Sequence, residues 1–341
     1  PNAAHAVYYA NIVREKATYR SLINASTEIL RNAYEPSQDA RELLSQAEQK
    51  IFSILDSRGS SSVSSIRDVM HTAMDRLDAR MQGNQTLGGV DTHFADLDEL
   101  TGGLHNSELI ILAARPSMGK TSFFLNVVRN ITEGDAPKSI GVFSLEVSRL
   151  DLVTNLLCIS AGVDSQKVRG KGLSPGEHGK IAEAAQRLYK KKIFIDDTPG
   201  LTVLGLRSKA RRLHRKEKLD LIVIDYLQLM DGASGESRQQ EISAISRGLK
   251  GIARELKVPV IAVSQLSRKV EDRESKRPRL ADLRESGAIE QDADLVLMLH
   301  RPEYYLDGRS DEKEKTKNDA AVLLLKNRNG PTGDVDLHFI K

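Results

Sequence analysis

The chain has 341 residues, room for one large domain and a smaller appendage, and its 40% apolar content is enough for a buried core. Fifty Lys and Arg against 47 Asp and Glu leave a formal net charge of +3, so a nucleic-acid partner has to be argued from local patches. No run approaches the ~20 apolar residues of a membrane-spanning helix and none resembles a signal peptide, which predicts a cytoplasmic protein with no membrane partner. The single cysteine, Cys158, excludes an internal disulfide.

The N-terminal part of the chain has the apolar spacing of helices. Between Tyr8 and Leu55, apolar side chains recur at intervals of three, four and seven residues, which is the helical period. Pro36 followed by Ser37 predicts a break between two helices, because proline is poorly tolerated inside a helix and serine caps the next one. We therefore expect a small helical segment at residues 1–57, with little core of its own and in need of a packing partner.

A linker with a helix of its own is predicted at residues 58–88. Arg58 to Ser65 reads RGSSSVSS, a run of small polar residues that is typical of a flexible connection. Apolar residues from Val63 to Met81 then form one stripe on a predicted helix of about five turns. Packing on its own domain and docking on a neighbouring subunit are both open interpretations of this helix.

From Glu108 onward, short β-branched runs alternate with helical patterns, within a domain predicted at residues 89–341. Seven runs have the length and composition of buried strands. In chain order they are ELIILAA (108–114), SIGVFSL (139–145), KIFIDD (192–197), LDLIVIDY (219–226), PVIAVSQ (259–265), DLVLMLHR (294–301) and AAVLLLKN (320–327). Helices between the early strands imply a mostly parallel sheet between two helical layers, an α/β fold.

The first predicted strand leads directly into a phosphate-binding motif. ARPSMGKT at 114–121 joins that strand to the helical run SFFLNVVRN, and backbone N–H groups at such a junction form an anion nest. Ala114 stands where the usual pattern has glycine, and its small size fits the turn. We expect Lys120 to bind the β- and γ-phosphates of ATP and the Thr121 hydroxyl to bind Mg²⁺. The residues predicted to hold the nucleotide are Arg115, Pro116, Ser117, Met118, Gly119, Lys120, Thr121 and Ser122.

Polar residues follow three later strands, at the edge where ligands of such sheets bind. Glu146 would polarise the attacking water if its strand neighbours the P-loop strand, and a solvated acid at a strand end is the alternative. Asp225 ends the fourth strand and would complete the Mg²⁺ shell through water, together with Thr121. Gln265 ends the fifth strand and suits a sensor of the ATP γ-phosphate that passes the nucleotide state to the following loop.

Two charged segments beyond the fifth strand are candidates for contacts outside this nucleotide site. Arg284, Glu285 and Gly287 lie in a long charged loop, where glycine permits close approach and arginine pairs with nucleic-acid phosphates. Lys326 and Arg328 stand at the tip of a predicted hairpin, far along the chain from the P-loop, and suit an arginine finger for a neighbour's phosphoryl transfer. A solvated charge run and a solvated hairpin are the alternatives.

These motifs together resemble the DnaB-type family of bacterial replicative helicases. The resemblance extends over nearly the whole chain and is carried by ARPSMGKT (114–121), FSLE (143–146), IDYLQLM (224–230), VSQLSR (263–268), RESGAIEQDAD (284–294) and KNRNGPTG (326–333). It implies a RecA-like motor domain that hydrolyses ATP with Mg²⁺, moves five-prime to three-prime on single-stranded DNA and unwinds the duplex at the replication fork.

The same resemblance implies a homo-hexameric ring with ATP bound between neighbouring subunits. One subunit would supply the P-loop and the three polar strand-end residues, and the next would supply Lys326 and Arg328. Single-stranded DNA would lie in the central channel near the 284–287 segment. Residues 1–56 look like the last helices of the family's N-terminal domain, the layer that meets primase. The family implies primase and a helicase loader as further partners. The helix at 63–81 looks like the family's linker helix, which packs on the adjacent subunit.

Two other functions are compatible with a P-loop motor. A RecA-like or RadA-like recombinase would form filaments, and the helical N-terminal segment disfavours it. A nucleotide-gated scaffold or loader with little turnover belongs to another class. Glu146 and Arg328 disfavour that reading, because an ATP sensor has no use for a water-activating acid or a finger.

Overall fold

The computed structural model describes residues 6–340, except 35–38, 41–42, 45, 48–49, 52–53, 55–64, 68–69, 71–73, 75–77, 79–88, 135–137, 231–236, 284–286 and 306–315. The chain divides into two compact units, Pro1–Asp78 and Ala79–Lys341. This division falls inside the predicted linker, and the predicted domain bounds remain predictions. Across the described ranges, no helix has the length and apolar content needed to cross a membrane.

Nearly all described residues of the first unit are helical. Helix α1 runs from Ala6 to Tyr34. It ends just before Pro36, where the sequence predicts a break, although Pro36 itself lies outside the described residues. Helical residues follow between Ala40 and Ile54, and an ion pair between Glu28 and Lys50 joins this stretch to α1.

The predicted linker helix falls largely on positions that the structure does not describe. The described positions from Ile66 to Asp78 are helical, as predicted, while Val63 and Met81 lie outside the described residues. Ile66, Met70 and Met74 belong to the predicted apolar stripe, and all three side chains are exposed. The docking of this helix on a neighbouring subunit therefore remains a prediction.

One eight-stranded sheet organises the second unit. Its strands are β1 (Leu109–Ala114), β2 (Ser139–Ser144), β3 (Lys192–Asp196), β4 (Leu221–Asp225), β5 (Val260–Gln265), β6 (Leu295–His300), β7 (Asp319–Asn327) and β8 (Gly333–His338). They lie in the order β3-β2-β4-β5-β1-β6-β7-β8. The first six strands in the chain pair in parallel, whereas β6-β7 and β7-β8 pair antiparallel. All seven predicted strands and the predicted terminal hairpin are present.

Helices cover both faces of this sheet. They are α2 (Ala95–Thr101), α3 (Lys120–Glu133), α4 (Arg149–Ala161), α5 (Pro175–Tyr189), α6 (Val203–Glu217), α7 (Arg238–Leu256) and α8 (Gly287–Asp292). Helices α6, α7 and α8 bury their apolar sides on one face, and α2, α3 and α4 bury theirs on the other. The prediction of a mostly parallel sheet between helical layers is confirmed.

The alternation of side chains along each strand explains why two cores form. In β1, Leu109 and Ile111 belong to one core, whereas Ile110 and Leu112 belong to the other. Successive side chains of a strand point to opposite faces, so a run that is apolar at every position requires cover on both sides. Every residue of β1 is accordingly buried. Burial on both faces leaves the strand ends as the places where polar groups meet solvent.

Gly248→Ala is expected to lower the free energy of unfolding by about 1–3 kcal/mol, because the added methyl group overpacks a filled contact. Gly248 lies in α7, and a Cβ there would overlap Cγ1 of Val203 in α6. Val203 is β-branched and stiff, so it has little freedom to move aside. Urea unfolding measures the change.

Gly251→Ala is the matched control in the same helix, because no atom lies within 4 Å of its added Cβ. This substitution should raise the free energy of unfolding by about 0.5–1 kcal/mol, since alanine loses less conformational freedom in a helix than glycine does. Equal stabilisation by both substitutions would contradict the packing of α6 against α7.

Candidate active site at the carboxyl edge of the sheet

Four neighbouring strands end side by side at one edge of the sheet. The order β2-β4-β5-β1 makes them consecutive, and the strand ends are aligned because Ser144 pairs with Asp225 and Ala114 pairs with Gln265. The P-loop therefore begins at the same edge where Asp225 and Gln265 end their strands and where Glu146 follows β2. The sequence-predicted set of nucleotide residues is brought together by this alignment.

One premise about Glu146 is wrong. The sequence-based interpretation made its role depend on β2 lying beside the P-loop strand β1, but β4 and β5 lie between them. Later strands of this doubly wound sheet insert next to β1, so chain order does not give sheet order. Glu146 instead lies two residues beyond Ser144, the register partner of Asp225. It is exposed, and its charge acts on both Lys120 and Asp225.

The P-loop has the backbone of a phosphate cradle. Ser117 and Gly119 both adopt left-handed conformations, with φ of 63° and 96°, and α3 begins at Lys120 directly after this turn. The Phe123 N–H donates to the Gly119 carbonyl at 2.8 Å, which starts the helix. Free N–H groups at a helix N-terminus attract anions, and the left-handed turn aims them at one point.

Lys120 is placed to serve as a cation in a partly dry site. Burial lowers the pKa of Lys120, and the negative charges of Asp225 and Glu146 oppose that shift. The Lys120 ammonium also lies 5.3 Å from the centre of the Tyr226 ring, close enough for a cation–π contact. The two carboxylates and the ring face thus favour the charged lysine that a phosphate needs.

Thr121 and Asp225 fit a magnesium site. The Thr121 hydroxyl donates to Oδ2 of Asp225 at 3.4 Å, while Oδ1 of Asp225 is buried with no hydrogen-bond partner. Burial raises the pKa of Asp225 to about 6, against the opposing charge of Lys120. A hydroxyl and an unpartnered carboxylate oxygen suit Mg²⁺, which prefers oxygen ligands and completes its shell with water and phosphate. In the described part of the chain, no cluster of three His, Cys, Asp or Glu forms a protein-only metal cage.

The exits of β4 and β5 are joined by a residue to which the sequence assigned no role. The side-chain amide of Gln228 donates to Oγ of Ser264 at 2.8 Å, and its Oε1 accepts from the Gln265 N–H at 3.3 Å. Gln228 thus fixes the backbone from which the predicted sensor projects. Gln228 lies within the motif IDYLQLM, but the sequence did not predict which residues it would hydrogen-bond.

An aromatic residue from the end of the chain packs on the P-loop. A Cβ added to Gly119 would lie 2.8 Å from Cε2 of Phe339, so the absent side chain leaves the space that this ring uses. The Arg301 guanidinium lies 3.7 Å from the centre of the Phe339 ring. Phe339 and Arg301 follow strands β8 and β6, respectively. Sequence reasoning missed both, because a lone aromatic so far along the chain from the motif carries no signal.

Lys326 and Arg328 lie at the other edge of the sheet. A guanidinium N–H of Arg328 donates to Oδ1 of Asp294 at 2.9 Å, and Lys326 donates to the Glu290 carbonyl at 2.5 Å. Asp294 in turn accepts from the N–H of Leu109, the first residue of β1. The P-loop follows the last residue of β1, so the length of that strand, roughly 20 Å, separates the two cations from the P-loop of their own chain.

The predicted DNA segment is only partly described. Gly287 begins α8, whereas Arg284 and Glu285 lie outside the described residues. The described loop before them, residues 266–283, is pinned at its base by the bridge between Leu266 and Leu283. The predicted contact of Arg284, Glu285 and Gly287 with DNA therefore remains a prediction.

The sheet order, the P-loop and the strand-end residues define a RecA-like P-loop ATPase. Residues 89–341 match the family model described as "DnaB-like helicase C terminal domain". The chain is 44% identical over 344 residues to the replicative DNA helicase DnaC of Bacillus subtilis (strain 168), covering 100% of this chain and 74% of that protein.

Two solved structures share the fold. One, described as an ATPase domain, has a TM-score of 0.75 at 37% identity and covers 82% of this chain and 96% of its own. The other describes a DnaB-like replicative helicase and its interactions with primase; it has a TM-score of 0.78 at 33% identity and covers 99% of this chain and 78% of its own. The chain belongs to the DnaB-type replicative DNA helicase family. It is an ATP-dependent DNA helicase, as the motifs predicted.

Gly119→Ala is expected to weaken ATP binding about 5- to 30-fold, because a non-glycine residue resists the left-handed backbone of the phosphate cradle at a cost of about 1–2 kcal/mol. The added Cβ would also press on the Phe339 ring. Titration with a fluorescent ATP analogue measures the change. The double variant Gly119→Ala with Phe339→Ala should recover only the part caused by the ring, because the backbone strain remains.

Gly176→Ala provides the control for this series. Gly176 lies in α5, and no atom lies within 4 Å of its added Cβ. Its substitution should leave nucleotide affinity unchanged. Wild-type affinity in Gly119→Ala would contradict the P-loop geometry described here.

Proposed function

We propose that the protein works as a homo-hexameric ring that moves five-prime to three-prime on single-stranded DNA and hydrolyses ATP at sites shared by adjacent subunits. The observation that carries this proposal is the placement of its charged groups at two opposite edges of one sheet. The P-loop lies at the carboxyl edge, and Arg328 lies at the amino edge, paired with Asp294. A cation that cannot reach its own P-loop across the sheet is suited to reach a neighbour's.

Within one subunit, each strand-end residue has a chemical task in this proposal. Lys120 binds the β- and γ-phosphates, and Glu146, exposed at the edge, orients and deprotonates the attacking water. Thr121 and Asp225 would hold Mg²⁺, which supplies neutralisation of phosphate charge. Gln265 contacts the γ-phosphate, and its backbone is fixed by Gln228. Backbone N–H groups of the P-loop between Ser117 and Ser122 donate to the phosphates, whereas Pro116 has no N–H to donate.

The neighbouring subunit contributes the cations at the amino edge. Arg328 supplies the finger, with Lys326 beside it, and both stabilise the negative charge that develops on the transferred phosphoryl group. Within its own chain Arg328 is paired with Asp294, which also accepts from Lys250 at 2.5 Å. Asp294 therefore stays paired with Lys250 when Arg328 moves away, so its buried carboxylate is not left without a cation.

Single-stranded DNA is proposed to contact Arg284, Glu285 and Gly287 through its phosphates. The chain has no Trp and only 15 Tyr and Phe in all, so base stacking has few platforms and backbone contact is favoured. Gly287 opens α8, where a missing side chain allows a phosphate to approach the backbone closely. Contacts of this kind are independent of base sequence, as a translocating motor requires.

The N-terminal unit is proposed to serve the assembly. Residues 1–57 would form part of the tier that meets primase, the linker at 58–88 would dock its helix on the adjacent subunit, and 89–341 would be the motor domain. One relative's structure is described together with its interactions with primase, which supports primase as a partner here. A helicase loader is proposed as a second partner. The protein would then act at the replication fork, in the nucleoid of the cytoplasm.

Mixed oligomers test the shared site. Arg328→Ala alone and Lys120→Ala alone should each lower the ATPase kcat steeply, by about 10³-fold or more for loss of the finger. When the two variants are mixed in equal amounts, activity should reappear, because about a quarter of randomly formed interfaces join an intact P-loop to an intact Arg328. Steady-state phosphate release measures the recovery.

The control mixture combines Lys120→Ala with Asp225→Ala. Both defects lie in the same half of the shared site, so no subunit of this mixture can supply an intact P-loop half and no interface is complete. This mixture should stay inactive. Failure of the Arg328→Ala and Lys120→Ala mixture to exceed either parent would reject the shared site.

A further inference from the structure

The first residue after β1 has a side chain that leaves the phosphate cradle. Arg115 is 7% exposed, although it is an arginine in a loop. One of its terminal N–H groups donates to the Leu266 carbonyl at 2.9 Å, and its Nε donates to Oε1 of Glu271 at 2.8 Å. Both partners belong to the segment after β5, about 150 positions away in the chain. The P-loop is thus bonded to a second loop by a buried, charged side chain.

That second segment, residues 266–283, is called the coupling loop here. Its two ends are held together by the Leu266–Leu283 bridge and by the Ser267 N–H, which donates to the Asp282 carbonyl at 2.9 Å. An ion pair between Arg273 and Asp282 adds a side-chain tie within the loop. The next residue after Leu283 is Arg284, the first of the proposed DNA contacts. Leu266 is thus paired with Leu283, the last described residue before Arg284.

The start of the coupling loop is also bonded to the backbone of the P-loop strand. The Leu266 N–H donates to the Ala114 carbonyl at 3.1 Å, so Leu266 is held by Ala114 through its N–H and by Arg115 through its carbonyl. The proposed role of Gln265 in the same coupling differs, because it depends on contact between the Gln265 side chain and the γ-phosphate. The link through Arg115 depends only on the position of the P-loop backbone and does not require a γ-phosphate.

The Arg115–Glu271 contact is a tie that is costly to break. The Arg115 side chain is 9% exposed and the Glu271 side chain is 39% exposed. If Glu271 moves into solvent, water hydrates its carboxylate, but the buried Arg115 guanidinium loses its anionic partner and keeps the Leu266 carbonyl. The pair therefore resists opening and holds the P-loop and the coupling loop together.

We propose that the Arg115–Glu271 ion pair is a positioning contact that transmits nucleotide occupancy of the P-loop to the DNA segment at 284–287. The proposal rests on the proposed DNA-stimulated ATPase. Phosphate binding fixes the backbone at Arg115, the ion pair carries that change to the coupling loop, and the Leu266–Leu283 bridge delivers it to Arg284. Because coupling is reciprocal, DNA bound at 284–287 alters nucleotide affinity through the same pair by the same factor.

The test compares variants of Glu271 in the full chain. For each variant, the affinity of a fluorescent ATP analogue and the steady-state ATPase rate are measured with and without poly(dT). Glu271→Ala should retain DNA-free affinity and basal ATPase within about twofold, while the factor by which poly(dT) changes each of them falls to about half of its wild-type value or less, because only the Gln265 contact remains to couple the two sites. Glu271→Gln keeps an acceptor for Arg115, so its coupling should lie between wild type and Glu271→Ala.

Glu274→Ala is the matched control, because Glu274 is an exposed carboxylate in the same loop, and it should behave as wild type. Coupling in Glu271→Ala equal to wild type would overturn the proposal. The proposal would also be overturned if Glu271→Ala lost as much affinity for the ATP analogue without DNA as it lost in coupling. That result would show that the ion pair has only a structural role in the P-loop. If wild type itself shows no effect of poly(dT), the proposed function fails first, and the two failures are thereby distinguished.

Discussion

The alignment of four parallel strand ends is the constraint on which the rest of the structure depends. Strands β2, β4, β5 and β1 are consecutive, and their registers bring Glu146, Asp225, Gln265 and the P-loop to one edge. The strands are apolar on both faces, so polar groups are excluded from their length and concentrate where they end. The requirement that helices cover both faces of the sheet therefore accounts for the apolar core and for the position of the nucleotide site.

The same sheet separates the two halves of the proposed reaction centre. The P-loop follows β1 at one edge, while Arg328 is anchored through Asp294 to the first residue of β1 at the other. One rigid strand lies between a phosphate site and the cation suited to complete it. In the proposed ring, each sheet would present its carboxyl edge to one neighbour and its amino edge to the other. ATP hydrolysis would then require a correctly assembled interface between subunits. The Arg115–Glu271 tie would add a route from the same phosphate site to DNA.

The sequence was sufficient for the strands and for the P-loop turn that follows the first of them, because both depend on local patterns. Continuous apolar runs predicted each strand, and Gly119-Lys120-Thr121 after a strand predicted the cradle. The order of strands in the sheet could not be predicted from the sequence, because pairing between distant parts of the chain decides which strands become neighbours. The premise that β2 lies beside β1 was wrong for that reason. Phe339 against Gly119, and Glu271 against Arg115, were missed because each contact joins distant parts of the chain and neither partner belongs to a short motif.

The aligned strand ends are proposed to form an ATPase whose turnover depends on Glu146 and responds to DNA. Both dependences are measured by steady-state ATPase with and without single-stranded DNA, for the wild-type chain and for Glu146→Gln. DNA should stimulate the rate in wild type, and Glu146→Gln should abolish the rate while nucleotide binding is retained, because only the proton acceptor is lost. A slow rate that neither DNA nor the substitution changes would contradict this role of the strand ends.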